Sequence, residues 1–291
     1  MKKKNPLPTV IMLLFFLTGL SLLLYPSISE YWNSFHQTRA IAGYEEKVAQ
    51  LGENESLEMF ENAREYNQQL LTKQHPHFLS KEEKETYESL LNPRGTGIMG
   101  HIEIPTLDVS LPIYHGTKEE ILQVAVGHLE WTSLPVGGQS THCVLSGHRG
   151  LPSAKLFTEL DKLVKGDTFL LKILDQILLY EVDQIQIVEP HETQALAITE
   201  GKEYCTLVTC TPYGVNSHRL LVRGHRVYEQ QTAGIARVTA DAVQIEPVLV
   251  AFVLAIPALT VLVVGMIICD GRKVRSTVIL RELKMRGDQN V

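Results

Sequence analysis

Thr206-Leu207-Val208-Thr209-Cys210-Thr211-Pro212-Tyr213-Gly214, followed by His218-Arg219-Leu220-Leu221-Val222-Arg223-Gly224, reads as two apolar, β-branched strands joined by a Pro- and Gly-containing turn. Cys210 stands where the first strand runs out, and Arg219 opens the second. A thiol at a strand end is held rigidly and stays reachable. A guanidinium one strand away can lower a thiol pKa or stabilise an oxyanion. The segment therefore predicts a cysteine nucleophile, which needs a base.

Working outward, period-two runs at 98–104, 109–114, 143–146, 169–173, 178–188, 204–210 and 219–227 predict strands. Segments 118–126 and 153–163 predict short helices between them. Seven or eight short strands in about 135 residues indicate a mostly β domain, either a closed barrel or a sandwich. Upstream, residues 30–91 are rich in Glu, Gln, Lys, Ala and Leu, with Leu57, Phe60, Ala63 and Tyr66 at helical spacing. His75-Pro76-His77-Phe78 interrupts that pattern, so the region predicts a helix, a proline-containing loop and a short helix.

Two uncharged runs flank all of this. Residues 8–25 follow Lys2, Lys3 and Lys4; residues 247–269 precede Arg272, Lys273 and Arg275. At about 1.5 Å per residue each run spans, or nearly spans, a hydrocarbon core of about 30 Å. Basic residues favour the cytoplasmic side, which puts everything between the runs outside the cell. The first run reads either as a retained anchor or as a signal peptide cleaved near Ser27-Ile28-Ser29. The second reads as a stop-transfer helix. The chain thus divides into a signal or anchor segment (1–29), a helical arm (30–94), a catalytic β domain (95–230), a linker (231–246), a transmembrane helix (247–269) and a basic cytoplasmic tail (270–291).

Of 27 basic and 33 acidic residues, three basic ones lie at the N-terminus, and six basic and three acidic ones follow Cys269. The external part keeps 18 basic against 30 acidic residues, which argues against nucleic acid as a partner. Four cysteines without CxxC or Cys/His spacing argue against a disulfide scaffold or a zinc site. Scattered acidic residues give no calcium loop. No metal or cofactor is expected.

Among 11 histidines, His148 has a distinctive setting. It ends Cys143-Val144-Leu145-Ser146-Gly147-His148-Arg149-Gly150, a strand stopping in a glycine-flanked turn, just as Cys210 ends its own strand. Parallel neighbours would bring imidazole and thiol together. Cys143 and Cys205 each precede one of these residues by five positions, an odd offset that puts both sulfurs on the opposite strand face. In register they would approach each other. Two small buried residues are the default expectation, since disulfides between parallel neighbours are geometrically awkward. Arg149 and Arg223 read as ordinary surface arginines.

Together the segments around His148, Cys210 and Arg219 resemble the sortases, in particular the class C, pilin-polymerising sortases of Gram-positive bacteria. Gly97-Ile98-Met99-Gly100-His101-Ile102-Glu103-Ile104-Pro105 and Leu111-Pro112-Ile113-Tyr114-His115-Gly116-Thr117 also look like that family's opening strands. The resemblance covers about residues 95–228. It implies an eight-stranded sortase β-barrel with Cys210 as nucleophile, His148 as acid/base and Arg219 as oxyanion or substrate-positioning group. It further implies cleavage of an LPXTG-like signal between Thr and Gly, a thioester, and transfer to a pilin lysine. The alternatives are a sortase attaching proteins to cell-wall peptide and an inactive membrane-tethered assembly scaffold. Class C lids commonly carry Asp-Pro and then an aromatic residue. Here the matching stretch is His75-Pro76-His77-Phe78, so a histidine replaces the aspartate and predicts a looser, pH-sensitive lid.

Overall fold

The computed structural model describes residues 7–73 and 78–228. The expected linker, second membrane run and basic tail, together with His75, Pro76 and His77, lie outside the described residues. Eight strands close into a barrel: β1 (Ile98–Ile104), β2 (Val109–His115), β3 (Val126–His128), β4 (Thr141–Ser146), β5 (Thr168–Ile173), β6 (Gln176–Val188), β7 (Glu203–Thr211) and β8 (His218–Val227). Their order around the barrel is β1-β2-β3-β4-β7-β8-β6-β5, closed by antiparallel pairing of β5 with β1. Closure removes both sheet edges.

Side chains alternate across the barrel wall. Cys143, Leu145, Cys205, Leu207, Leu220 and Val222 point into the interior core with Ile102, Phe169 and Tyr180. Val144, Val208 and Leu221 form a second apolar cluster on the outer wall with Leu196. The segment between β6 and β7 covers that outer face, so the middle of β7 is buried on both sides. This is why its sequence is a continuous run rather than an alternating one.

Two short-helix expectations need correction. The helix predicted over 118–126 is only one turn, α4 (Glu119–Leu122), and Val126 instead opens β3, a strand too short to show period two. The helix predicted over 153–163 is absent: Leu156 has φ +38°, and only a 3-10 turn forms at Leu160–Lys162. The apolar residues of this segment, including Ala154, Phe157, Leu160 and Leu163, are buried in the barrel core. Their spacing reflects that packing and not a helical face.

The helical region holds α1 (Leu7–Ala49), α2 (Glu53–Leu71) and α3 (Lys81–Ser89). Ser80 and Glu83 form a reciprocal capping box that starts α3. The buried stripe of α2 is Ser56, Phe60, Ala63, Asn67 and Leu70. Leu57, expected on that face, is 60% exposed, since the buried stripe runs through its neighbour Ser56 and, two turns after Phe60, through polar Asn67. Its amide accepts from Leu134 N at 2.7 Å and donates to Leu134 O at 3.1 Å, as a neighbouring strand would.

α1 is fixed by Tyr44, whose hydroxyl donates to Met99 O and accepts from Leu174 N, both at 2.8 Å. Tyr44→Phe leaves both buried backbone groups unpaired and should cost about 1–3 kcal/mol, read as a lower urea midpoint. An unchanged midpoint would show that the helix is not held there.

His115 and His142 add a pH dependence. His115 reaches Leu90 O at 2.7 Å and Gly97 O at 3.1 Å; His142 contacts Ala197 O at 2.9 Å and Thr206 Oγ1 at 2.7 Å. Burial, the largest influence on each, holds both pKa values below the usual 6.5. The unfolded chain therefore binds protons that the fold refuses. Their contribution to stability is complete above about pH 6.5 and declines as pH falls through that value toward the folded pKa. The urea midpoint should drop between pH 7.5 and pH 5; a flat or rising midpoint contradicts the assignment.

Candidate active site

β4 and β7 pair in parallel with Cys143 opposite Cys205 and Ser146 opposite Val208. The ends of these strands therefore emerge together. Past the last strand pair, Gly147 N donates to Val208 O at 3.0 Å and Thr209 Oγ1 donates to Gly147 O at 2.8 Å. These bonds pin the turn bearing His148 to the strand bearing Cys210. On the other side, antiparallel β8 places Arg219 directly opposite Cys210. The three residues singled out in the sequence thus come to one edge of the barrel.

Cys210 is a partly exposed free thiol. Arg219 Nη1 donates to the carbonyls of Asn216 at 3.3 Å and His218 at 3.1 Å, anchoring the guanidinium beside the turn. The His148 ring lies 3.4 Å (Nε2) from Glu119 Oε1, and its side chain is 26% exposed. Glu119 belongs to α4 and carried no signal in the sequence. A hydrogen bond from Gln123 and the His148 ring hold its carboxyl below the usual carboxylate range.

The turn after β4 needs its glycines. A Cβ on Gly147 would sit 2.7 Å from the Phe157 ring; Gly150 has φ +77°, and a Cβ there would meet Tyr213 at 2.9 Å. Arg149, read from sequence as a surface arginine, has a side chain only 9% exposed. It pairs with Asp161, donates to Thr211 Oγ1 at 3.3 Å and faces the Tyr213 ring, so it braces the two site loops against each other. Arg223 likewise makes a two-pronged contact with Asp183, both bonds 2.9 Å, and stacks 4.1 Å from the Tyr204 ring centroid.

Cys143 and Cys205 face the interior as expected, 3% and 0% exposed, and both are free thiols. Burial pushes the Cys205 thiol well above its usual range. Along the outer wall, Val208 lies two positions from Cys210 and Leu221 two from Arg219, so the apolar cluster starts beside the thiol. Trp131 and Leu196 carry it into a groove of about 670 Å³ that is also lined by Leu70 and Ile198. Of the lid stretch, Phe78 is described and is 80% exposed.

Thr209→Val keeps the shape and deletes the bond to Gly147 O. It should lower turnover about tenfold, the rate equivalent of about 1.4 kcal/mol of lost positioning, while the unpaired Gly147 carbonyl costs about 1–3 kcal/mol of stability. Gly147→Ala should also destabilise the fold by about 1–3 kcal/mol through the clash with Phe157. Full turnover in Thr209→Val would show that the His148 turn is positioned by something else.

Comparison with known proteins agrees with this fold. The sortase domain profile matches residues 102–227. The chain is 32% identical over 131 residues to sortase D of Bacillus subtilis (strain 168), covering 44% of this chain and 63% of that protein. It is 32% identical over 117 residues to a sortase A of Streptococcus agalactiae serotype III (strain NEM316), covering 39% and 47%. The match thus spans between about half and two thirds of the length of these curated relatives. Among solved structures, sortase C1 from Streptococcus agalactiae is 51% identical with TM-score 0.63, covering 65% of this chain and 98% of that one. Sortase C of Streptococcus pneumoniae is 44% identical with TM-score 0.58, covering 65% and 97%. With its eight-stranded barrel and this agreement over nearly the whole of solved class C sortases, the chain belongs to the sortase family.

Proposed function

We infer that this protein is a membrane-anchored cysteine transpeptidase that cleaves an LPXTG-like sorting signal between Thr and Gly and transfers the acyl group to a pilin lysine. The observation that carries the reading is the direct opposition of Cys210 and Arg219 beside the pinned His148 turn. The class C structural neighbours support the acceptor, since the Streptococcus pneumoniae sortase C is described in terms of its pilin substrate specificity.

In this reading the Cys210 thiolate adds to the threonine carbonyl carbon. The guanidinium of Arg219 faces the oxygen that gains charge. His148, as imidazolium, gives its proton to the glycine nitrogen as the C–N bond breaks, leaving a thioester. A lysine ε-amine then attacks the thioester carbonyl and passes a proton to the neutral His148. The C–S bond breaks, the thiolate returns, and an isopeptide bond remains. The thioester conserves enough of the peptide bond's free energy for amide formation without a nucleotide. The apolar wall beside Cys210 suits the Leu and Pro of such a signal.

The N-terminal run serves as the membrane anchor, with the barrel outside the cell, the 247–269 run as a second span and the basic tail inside.

Incubating the protein with a sorting peptide and a lysine-containing pilin peptide, and following products by chromatography, tests the assignment. The branched product should dominate over hydrolysed peptide. Arg219→Ala should lose about 10²–10³-fold in kcat, the range for removing one oxyanion donor. Hydrolysis alone, or transfer only to a cell-wall peptide amine, would overturn the pilin-polymerising reading.

A further inference from the structure

α1 carries two different stripes beyond its uncharged run. Asn33, Gln37, Ile41 and Tyr44 face the barrel: Asn33 Nδ2 donates to Ser153 O at 2.6 Å and Gln37 Nε2 to Val124 O at 2.7 Å, while Ile41 and Tyr44 are buried. Ile28, Tyr31, Trp32 and Phe35 form a second stripe at i, i+3, i+4 and i+7. These are 62%, 68%, 64% and 54% exposed. Such a stripe of large apolar side chains facing outward needs a partner.

The helix itself points to that partner. It runs unbroken from Leu7 to Ala49, and the stripe continues directly from the apolar segment long enough to span a bilayer. Between Leu7 and Thr38 the only charged residue is Glu30. Tyr and Trp are the residues that favour the membrane–water boundary. The barrel-facing contacts reach the loops of the candidate site. Ser153 lies five residues beyond His148, and Val124 lies five beyond Glu119, which touches His148.

We propose that the outer-leaflet interface receives the membrane-proximal part of this stripe, Ile28, Tyr31 and Trp32, with Phe35 just above it, and that α1 thereby holds the mouth of the active site close to the bilayer surface. This rests on the transpeptidase reading only for its consequence: the donor is a polypeptide itself anchored in the membrane, with its scissile bond close to the headgroups. At about 1.5 Å per residue, Asn33 is about 12 Å and Gln37 about 18 Å above Tyr25, where the uncharged apolar run ends. The headgroup layer accounts for about 5–8 Å of that. The far end of α1, at Ala49, stands about 36 Å above Tyr25. The site loops are therefore at the membrane-proximal end of the helix–barrel contact, and the start of α2 at the distal end.

Single nitroxide labels on the full chain in a Cys210→Ala, Cys269→Ala background test the placement without any activity. Labels go at Phe35→Cys, at Glu120→Cys in α4 and at Glu53→Cys at the distal end. The protein is reconstituted in phosphatidylcholine–phosphatidylglycerol vesicles carrying a nickel-chelating lipid. Labels 35 and 120 should relax severalfold faster than label 53. Relaxation at 35 and 120 no faster than at 53 would overturn the proposal, whether a second copy or another segment of this chain covers the stripe.

A second measurement inserts seven helix-forming residues between Ser29 and Glu30, raising the barrel by about 10 Å while keeping helical phase within about 20°. The readout is the cleavage rate of a vesicle-anchored sorting peptide divided by that of the soluble peptide. We expect this ratio to fall about tenfold because the reacting groups are no longer at the same height. An unchanged ratio contradicts the proposal. If the natural chain cleaves neither peptide, the transpeptidase reading fails while the nitroxide result still decides the placement.

Discussion

The parallel pairing of β4 with β7 is the constraint on which the rest of the structure depends. Its register sets Cys143 against Cys205 inside the barrel and makes the two strands end together. A shift of one residue would turn every side chain to the other face. If β7 slipped, Cys210 would point into the core, and Cys205 would turn to the outer wall, away from Cys143. The bonds from Gly147 N to Val208 O and from Thr209 Oγ1 to Gly147 O extend the same register one step beyond the strands. They carry strand-level rigidity into the turn that presents His148.

Around that pair, the barrel supplies a partner on each side. β8 contributes Arg219 opposite Cys210, and the connection leading to β3 contributes Glu119 beside His148. The two loops are then tied by Arg149, which touches Asp161 and Thr211 at once. Candidate reactive groups at one edge and an apolar wall running away from them form one continuous arrangement. Each part follows from side chains alternating across a closed sheet.

Much of this is legible in the amino-acid sequence, for a physical reason. Strands that end in polar residues after uninterrupted apolar runs signal both burial and an exit point, and this singled out His148 and Cys210. The five-residue offset of Cys143 and Cys205 correctly placed them on the interior face, because strand periodicity is strict. Local signals failed where long-range packing decides. Three-residue β3 has no period to read, and 153–163 carries apolar residues that pack into the barrel core. Asn67 occupies a core position that hydrophobic spacing assigns to no polar residue; it fits because Leu134 offers both halves of a backbone bond. Glu119, Arg149 and Arg223 matter through partners distant in sequence, which spacing does not reveal.

The most direct measurement is the intact mass of the protein trapped during turnover with an LPXTG-type peptide, followed by peptide mapping of the adduct. A covalent species heavier by the peptide fragment ending at Thr, carried on Cys210 and discharged by a lysine amine, is the expected result. Cleavage of the peptide with no adduct, or with the adduct on any other residue, would contradict it.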